Sequence, residues 1–199
     1  MKHITKLSLI LVFILAHILC FSNEYRALTK KNSQETNNIY FENVNQGSLL
    51  YIKDSDGLIL YSEVIGENGI YSKEFILTNL PNADYYFELD KEDKIEITPF
   101  IVKGNRVEFE TEKVYEIAKP KVSIDDNHLY ISKIAMNMQS IKIEVYSEDY
   151  DLTFSERIKN TQSMNRIYDF TNFKKGNYII LVKSDGRVFE NRINIGSAI

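Results

Sequence analysis

The chain has 199 residues, of which 44% are hydrophobic, a net charge of −4 and a single cysteine. This mildly acidic balance excludes a dedicated nucleic-acid binder, which would carry a basic stripe. One cysteine excludes a disulfide framework and a thiolate metal site, so stability must come from burial of apolar side chains.

Residues 1–22 have the pattern of a secretory signal peptide. Lys2 and Lys6 form a positive start, and an apolar run that is interrupted by His17 follows them. This order of charge and hydrophobicity is typical of export signals. A membrane span needs about 20 apolar residues, and this run is shorter. We therefore predict a cleaved signal and no transmembrane span in the mature chain.

The cleavage site is predicted after Ser22. Signal peptidase requires small side chains one and three residues before the cut, and Ser22 and Cys20 occupy those places. The mature chain then begins at Asn23. A lipid on Cys20 is the alternative, but the lipoprotein pathway prefers a small residue before the cysteine, where Leu19 stands.

The rest of the chain contains a tandem repeat. The phrase "TNLPNADYYFEL" from Thr78 resembles "TNFKKGNYIILV" from Thr171, an offset of 93 residues. The same offset aligns Leu50 with Ile143, and no gap is needed from about residue 49 to 102. Such a repeat indicates two copies of one folding unit.

The repeat predicts two modules after a short lead. Residues 23–37 are polar and aperiodic, and we interpret them as flexible. The first module is predicted at residues 38–119 and the second at 120–199, with a boundary near Pro120.

Each module has the pattern of short β-strands. In "YYFELD", alternation places Tyr85, Phe87 and Leu89 on one face of a strand. Pro99 in "KIEITPFIV" indicates an edge strand or a bend. Short strands with turns at this spacing predict an all-β fold of two tandem immunoglobulin-like or fibronectin-like β-sandwich modules.

The repeated phrase also predicts a tyrosine corner in each module. In such corners a tyrosine near a strand start fills the core, and its hydroxyl donates to backbone a few residues upstream. Tyr85 follows Leu80 by five residues, and Tyr178 follows Phe173 by the same distance. We therefore interpret Tyr85 and Tyr178 as structural residues.

The end of the chain resembles a known class of export signal. The segments Gly176-Asn177-Tyr178, Ser184-Asp185-Gly186 and Arg192-Ile193-Asn194-Ile195 resemble the pattern of C-terminal sorting domains of the type IX secretion system. Residues 39–195 also resemble small secreted Bacteroidetes proteins with two such sandwiches and no assigned activity. The first module carries the same pattern away from the C-terminus, so we favour two related modules over a cargo followed by a signal.

The residues that could carry chemistry are few. His128 is the only histidine after the signal, and neither Gly-x-Ser-x-Gly nor His-Glu-x-x-His occurs. "DSDG" from Asp54 resembles part of a calcium loop, but Ile65 stands where a bidentate glutamate is needed. Glu63 and Glu156 are equivalent in the repeat, yet one carboxylate per module is no acid–base pair. We therefore expect no catalytic residue, metal or cofactor, and no enzyme.

Tyrosines outside the core are the candidate contacts for a partner. We favour packing of the other module over them, as the apolar Ile179 and Leu181 indicate; the alternative is that they stack on a glycan or form a protein interface. The tyrosines at outward positions of the predicted strands and turns are Tyr51, Tyr86, Tyr146 and Tyr150.

The function predicted from the sequence is therefore broad. We expect an exported, non-enzymatic binding or structural protein, either secreted, periplasmic or at the cell surface, with an unknown protein or glycan partner. The alternative is a secretion-linked protein whose C-terminal module acts as a type IX sorting domain. A fold alone does not choose between them.

Overall fold

The computed structural model describes residues 30–31 and 37–196. The predicted signal peptide, Cys20 and nearly all of the predicted lead lie outside the described residues. Within the described ranges, no helix has the length and apolar character that a membrane span requires.

The described residues form antiparallel β-strands and two short 3-10 turns, which confirms the all-β prediction. The strands are β1 (Lys30–Lys31), β2 (Asn37–Val44), β3 (Leu49–Asp54), β4 (Ile59–Val64), β5 (Gly69–Phe75), β6 (Ala83–Asp90), β7 (Lys94–Lys103), β8 (Arg106–Phe109), β9 (Tyr115–Ala118), β10 (Lys121–Asp125), β11 (His128–Ile134), β12 (Ile141–Ser147), β13 (Leu152–Ile158), β14 (Ser163–Asp169), β15 (Gly176–Ser184) and β16 (Arg187–Ile195). The 3-10 turns are Leu77–Asn79 and Thr111–Lys113.

These strands belong to two compact units. The first contains the described residues through Glu88 together with Thr98–Val114; the second contains Leu89–Ile97 and the described residues from Tyr115 onward. The first unit packs the sheet β1-β2-β5 against strands of the sheet β4-β3-β6-β7-β8, and the second packs β10-β11-β14 against β13-β12-β15-β16. The predicted boundary near Pro120 stays a prediction.

The sequence repeat reappears as a repeat of topology. The order β2-β5 with β4-β3-β6 in the first unit corresponds to β11-β14 with β13-β12-β15 in the second. The register also shifts at the same repeat position, between Ile52 and Lys53 in one unit and between Val145 and Tyr146 in the other. Bulges of this kind bend a strand and increase its twist, so the two units share local geometry as well as strand order.

The two cores differ in the kind of side chain that fills them. Phe87 lies at the centre of the first core, with ring centroids 6.1 Å from Phe41, 5.5 Å from Phe75 and 5.2 Å from Phe100. The second core is mainly aliphatic along β11, β12 and β15, where buried aliphatic residues are Leu129, Ile131, Ile141, Ile143, Val145, Ile180 and Val182. Burial of each such side chain contributes about 1.5–3 kcal/mol.

Strand β6 confirms the predicted alternation on its inner face and departs from it on the other. Tyr85, Phe87 and Leu89 are buried. Glu88 is buried as well, because its carboxylate accepts from Lys53 Nζ at 2.8 Å. A buried charge is tolerated when it is paired in this way.

Pro99 lies inside β7, which is between β6 and β8 in the sheet, so the edge alternative is wrong. β9 pairs with β7 through Ile97, and β8 pairs with it from Phe100. Pro99 therefore falls where the partner strand changes, and its missing N–H removes no ladder hydrogen bond there.

Both predicted tyrosine corners are confirmed. Tyr85 donates its hydroxyl to the Pro81 carbonyl at 2.9 Å, and Tyr178 donates to the Lys174 carbonyl at 2.8 Å. Each bond reaches four residues upstream, and each ring is buried. The corner therefore fixes the loop that leads into β6 or β15.

Candidate functional site

One end of the second unit contains an open cleft between two loops. Its volume is about 530 Å³, which is within the range of small-ligand sites. The β12–β13 turn supplies one wall and the loop before β15 supplies the other. The lining residues are Ser147, Glu148, Asp149, Asp151, Thr153, Asn172, Phe173, Lys174, Lys175, Gly176, Asn177 and Tyr178.

The first wall is a tight turn that closes on itself. The Ser147 amide donates to the Asp151 carbonyl at 2.9 Å, and the Tyr150 amide donates to the Ser147 carbonyl at 3.0 Å. Tyr150 has a φ of 64°, a left-handed conformation that is uncommon for a bulky residue. The equivalent residue of the first unit is Gly57, with a φ of 86°. The second unit therefore places a large side chain where the turn geometry favours glycine.

The second wall is held by the tyrosine corner and by an aspartate. Tyr178 anchors the Lys174 carbonyl, and the Thr171 amide and hydroxyl donate to Asp169 Oδ1 at 2.8 and 2.5 Å. These bonds, the one from the Thr171 side chain first, hold the pKa of Asp169 below its usual value. The Phe173 ring packs against Phe170 with a centroid distance of 4.2 Å. This wall is therefore fixed from both ends.

The polar groups of the cleft offer both donors and acceptors. Asn177 Nδ2 donates to Glu148 Oε1 at 3.2 Å, and Asn177 Oδ1 accepts from Asn194 at 2.8 Å. Three carboxylates on the first wall face a loop that carries Lys174 and Lys175. This set of groups can bind a ligand with several hydroxyl or amide groups.

In the turn "DSDG" of the first unit, the carboxylate of Asp54 accepts hydrogen bonds from the backbone of the turn itself. Asp54 Oδ1 accepts from the Asp56 amide at 3.0 Å and from the Leu58 amide at 2.9 Å. The Gly57 amide donates to the Asp54 carbonyl at 3.0 Å. These bonds are those of a turn between two strands. Among the described residues, no group of three His, Cys, Asp or Glu side chains is placed to hold a metal.

Glu63 and Glu156, which the repeat aligns, each join the end strands of two facing sheets. Glu63 on β4 accepts from Lys73 Nζ at 2.6 Å and from the Tyr71 hydroxyl at 2.9 Å, both on β5; the Tyr61 hydroxyl also donates to it. We call Glu63, Lys73 and Tyr61 the first edge cluster. Lys73 Nζ lies 2.5 Å from the Tyr61 hydroxyl.

The second edge cluster consists of Glu156, Arg166 and Tyr168. Arg166 Nε donates to Glu156 Oε1 at 3.2 Å, and the Tyr168 hydroxyl donates to Oε2 at 2.5 Å. Lys73 and Arg166 are equivalent in the repeat. A carboxylate with a cation and a phenol is thus repeated at the same edge of both sandwiches.

Hydrogen bonds and burial shift the pKa values of groups in and beside the edge clusters. The hydrogen bond from Lys73, followed by that from Tyr61, lowers the pKa of Glu63. Burial, and then the bond to Glu63, raises the pKa of Tyr71 above its usual value. Burial and the bond to Glu156 do the same to the pKa of Tyr168. Glu63 is therefore held as a carboxylate, and Tyr71 and Tyr168 as neutral phenols, near neutral pH.

The structure separates the predicted site residues. His128 is exposed at the start of β11, opposite Asp169. Tyr150 is 70% exposed beside the cleft. Tyr51, Tyr86 and Tyr146 are half-buried.

The cations and phenols of the edge clusters were not predicted from the sequence. The 93-residue offset aligns the cations Lys73 and Arg166 but not the phenols, because Phe75 aligns with Tyr168. The cleft was not predicted either, and its only sequence signal is that "SEDY" from Ser147 replaces "DSDG".

Comparisons with known proteins assign no function to this chain, so a functional interpretation depends on the geometry of the cleft and the edge clusters. No protein-family model matches the chain, and no curated protein matches it. The solved BSP domain of a biofilm-associated protein is similar, with 13% identity and a TM-score of 0.30; the match covers 83% of this chain and 28% of that one. A structure of the receptor tyrosine kinase Torso, described as the basis of its neurohormone perception, is 11% identical with a TM-score of 0.26. That match covers 85% of this chain and 72% of the other. This chain thus spans less than a third of the BSP-domain structure, and neither likeness carries a functional argument.

Proposed function

We propose that the protein is an exported, non-enzymatic binding protein, and that the cleft of the second unit holds its ligand. The observation that carries the proposal is the cleft itself, a volume of about 530 Å³ between two loops that are fixed at the end of a rigid sandwich. Binding sites on such folds are typically on loops that a rigid scaffold positions.

The placement of the charged groups supports binding over catalysis. Glu63 and Glu144, whose pKa values are lowered by neighbouring cations, lie outside the cleft in ion pairs of the sandwiches. The residues that line the cleft instead offer amides, hydroxyls and carboxylates with the Phe173 ring. The left-handed Tyr150 at its rim adds local strain, which is typical of functional loops.

An oligosaccharide is the ligand class that this lining favours. Sugars present several hydroxyl groups that can bond to amides and carboxylates, and an apolar face that an aromatic ring can contact. Asn172 and Asn177 supply amides on the same wall as Phe173. The proposed location, secreted or at the cell surface, agrees with a glycan partner.

The test is binding of neutral and acidic oligosaccharides to the purified chain, first on an array and then by titration calorimetry. We expect Asp149→Asn to weaken binding at least about tenfold, as the loss of a charge-assisted hydrogen bond implies. The matched control is Asp56→Asn, at the equivalent turn of the first unit, which should leave the affinity unchanged. Equal effects of the two substitutions, or no binding to any oligosaccharide, would overturn the glycan site.

The alternative is that the second module is a type IX sorting domain. The β15–β16 hairpin, with its Asp185-Gly186 turn, is the observation that favours it, because it has the pattern of those domains. The intact mass of the native protein from its own host distinguishes the two proposals. A chain from Asn23 to Ile199 supports a working pair of modules, and loss of the C-terminal module supports a removable signal.

A further inference from the structure

The outer edge of the first unit differs from the equivalent edge of the second. Strand β4 is last in its sheet, and among the described strands its backbone pairs only with β3. A strand in this position presents unpaired N–H and C=O groups along its free side. Strand β13 has the same place in the second unit.

Exposed aliphatic side chains lie along β4 and along β5, the end strand of the facing sheet. Their exposed fractions are 63% for Leu58, 52% for Ile59, 43% for Leu60, 63% for Val64, 72% for Ile70 and 53% for Ile76. An exposed strand edge with apolar side chains is a site for pairing with another strand. We call Leu58, which directly precedes β4, and Ile59, Leu60 and Val64 of β4 the apolar edge.

The second unit is an internal control for this feature. At the 93-residue offset, five of the six positions are polar or charged, namely Asp151, Thr153, Arg157, Ser163 and Asp169, and the sixth is Leu152, which is 54% exposed. Polar and charged residues on an edge strand are the usual protection against edge-to-edge pairing. The edge of the second unit is thus more polar than that of the first, although Leu152 and Ile167 are exposed there.

We propose that β4 pairs in the antiparallel direction with β4 of a second copy of this chain, so that the two first units share one continuous sheet. Two-fold symmetry makes a strand meet its own sequence. The exposed residues from Leu58 to Val64 are Leu58, Ile59, Leu60, Ser62 and Val64, and none is charged. The one carboxylate of the strand, Glu63, is paired with Lys73. No like charges therefore meet in the pair, whereas much of the surface of an acidic chain repels a second copy.

The size of this contact sets the expected strength. A strand of six residues spans about 20 Å, so the interface is at the small end of specific interfaces. We therefore expect a reversible dimer, with a Kd on the order of 10 μM.

The experiment is sedimentation velocity of the purified chain from about 1 to 500 μM, a range that brackets the expected Kd. The wild-type chain should shift from monomer to dimer. Leu60→Lys places a charge on the apolar edge and should give a monomer throughout. Leu152→Lys, on the equivalent end strand of the second unit, should leave the dimer intact, because Leu152 is exposed and does not line the cleft. Melting curves of both variants should match that of the wild-type chain.

Hydrogen exchange gives a second measurement that does not depend on a variant. Amides of residues 59–64 should become more protected as concentration rises, and those of residues 152–158 should not. A monomer at every concentration overturns the self-pairing and leaves the edge to a different partner strand. A dimer that survives Leu60→Lys, or that Leu152→Lys disrupts, places the contact elsewhere and also overturns the proposal.

Discussion

Each unit contains a buried charge pair between a lysine and a carboxylate, and the two pairs connect different parts of the sandwich. In the first unit Lys53 on β3 meets Glu88 on the adjacent strand β6. In the second, Lys133 on β11 reaches the turn between β15 and β16, where Nζ lies 2.8 Å from Asp185 Oδ2. One pair therefore lies within a sheet, whereas the other joins the strand of one sheet to a turn of the other.

This difference predicts that the stability of the two units depends to different extents on a single carboxylate. The Lys133 side chain is fully buried and also donates to the Ile134 carbonyl at 2.6 Å. A buried ammonium without its carboxylate is costly. The second unit is thus expected to depend strongly on Asp185.

The largest effect is expected from Asp185→Asn, which removes the charge and keeps the size of the side chain. We expect a loss of about 3 kcal/mol in the free energy of unfolding, measured by urea denaturation followed by circular dichroism. Asp126→Asn is the matched control, because Asp126 is exposed and has a φ of 51°, close to the 52° of Asp185. A loss at Asp185 no larger than that at Asp126 would show that the buried pair contributes nothing.

Local features of the fold could be predicted from the sequence, because they depend on neighbours along the chain. Tyr85 and Tyr178 bond to carbonyls four residues upstream, and alternation determines which face of β6 is buried. Glu88 could not be predicted as buried, since alternation gives the face of a residue but not what lies against it. Lys133 and Asp185 could not be paired, because the turn of one sheet must first fold onto the other.

The candidate site was less predictable than the fold for the same reason. The carboxylates of "SEDY" and the loop before Tyr178 are visible in the sequence. The cleft between them depends on the spacing of two loops that are more than 20 residues apart. The repeat aligned Glu63 with Glu156, but their phenol partners occupy different positions in the two units.

The acid response of the second unit is the next largest effect expected. Hydrogen bonds from Lys142 and then Lys183 lower the pKa of Glu144 to about 2 from a reference value of 4.5. The stabilisation is therefore complete above pH 4.5 and is lost as the pH falls toward 2. Tyr51 stands at the equivalent position of the first unit, so this contribution belongs to one unit.

Glu144→Gln measures that contribution. At pH 6 the variant should be less stable than the wild-type chain by about 2 kcal/mol, and the difference should shrink as the pH falls to 3. Urea denaturation at the two pH values gives the comparison. A difference that is constant with pH would show that the loss comes from packing and not from the charge of Glu144.

Removal of the hydroxyl from either tyrosine corner should destabilise the two units equally. Tyr178→Phe removes the hydroxyl that anchors the Lys174 carbonyl, and we expect a loss of about 1 kcal/mol. Tyr85→Phe should cost the same, because its bond to Pro81 has the same reach and nearly the same length. Thermal melting followed by circular dichroism measures both. An unchanged melting curve for Tyr178→Phe would remove the stabilising role of the corner in the second unit.

The smallest effect on stability is expected in the edge clusters. In each cluster two aromatic rings pack together, and the ring that carries the hydroxyl is on a different strand in the two units. Tyr61 packs on Phe75 in the first unit, with ring centroids 5.2 Å apart, and the hydroxyl is on β4. Phe154 packs on Tyr168 in the second, at 5.1 Å, and the hydroxyl is on the facing strand β14. The glutamate on the end strand is the same in both. Glu63 also accepts from Tyr71 on β5, so phenols reach a carboxylate from either end strand. We therefore expect the position of the phenol to be interchangeable, provided that one hydroxyl reaches the carboxylate.

The exchange of rings can be tested directly in the second unit. Tyr168→Phe should cost about 0.5 kcal/mol, because the cluster is partly exposed and water replaces much of the lost bond. Adding Phe154→Tyr to that variant recreates the arrangement of the first unit and should recover most of the loss, as a double-mutant cycle in chemical denaturation would show. Failure to recover would mean that Arg166, which replaces Lys73, requires the phenol on β14. The cation would then determine which strand carries the hydroxyl, and the two edge clusters would be distinct solutions to closing the same sandwich edge.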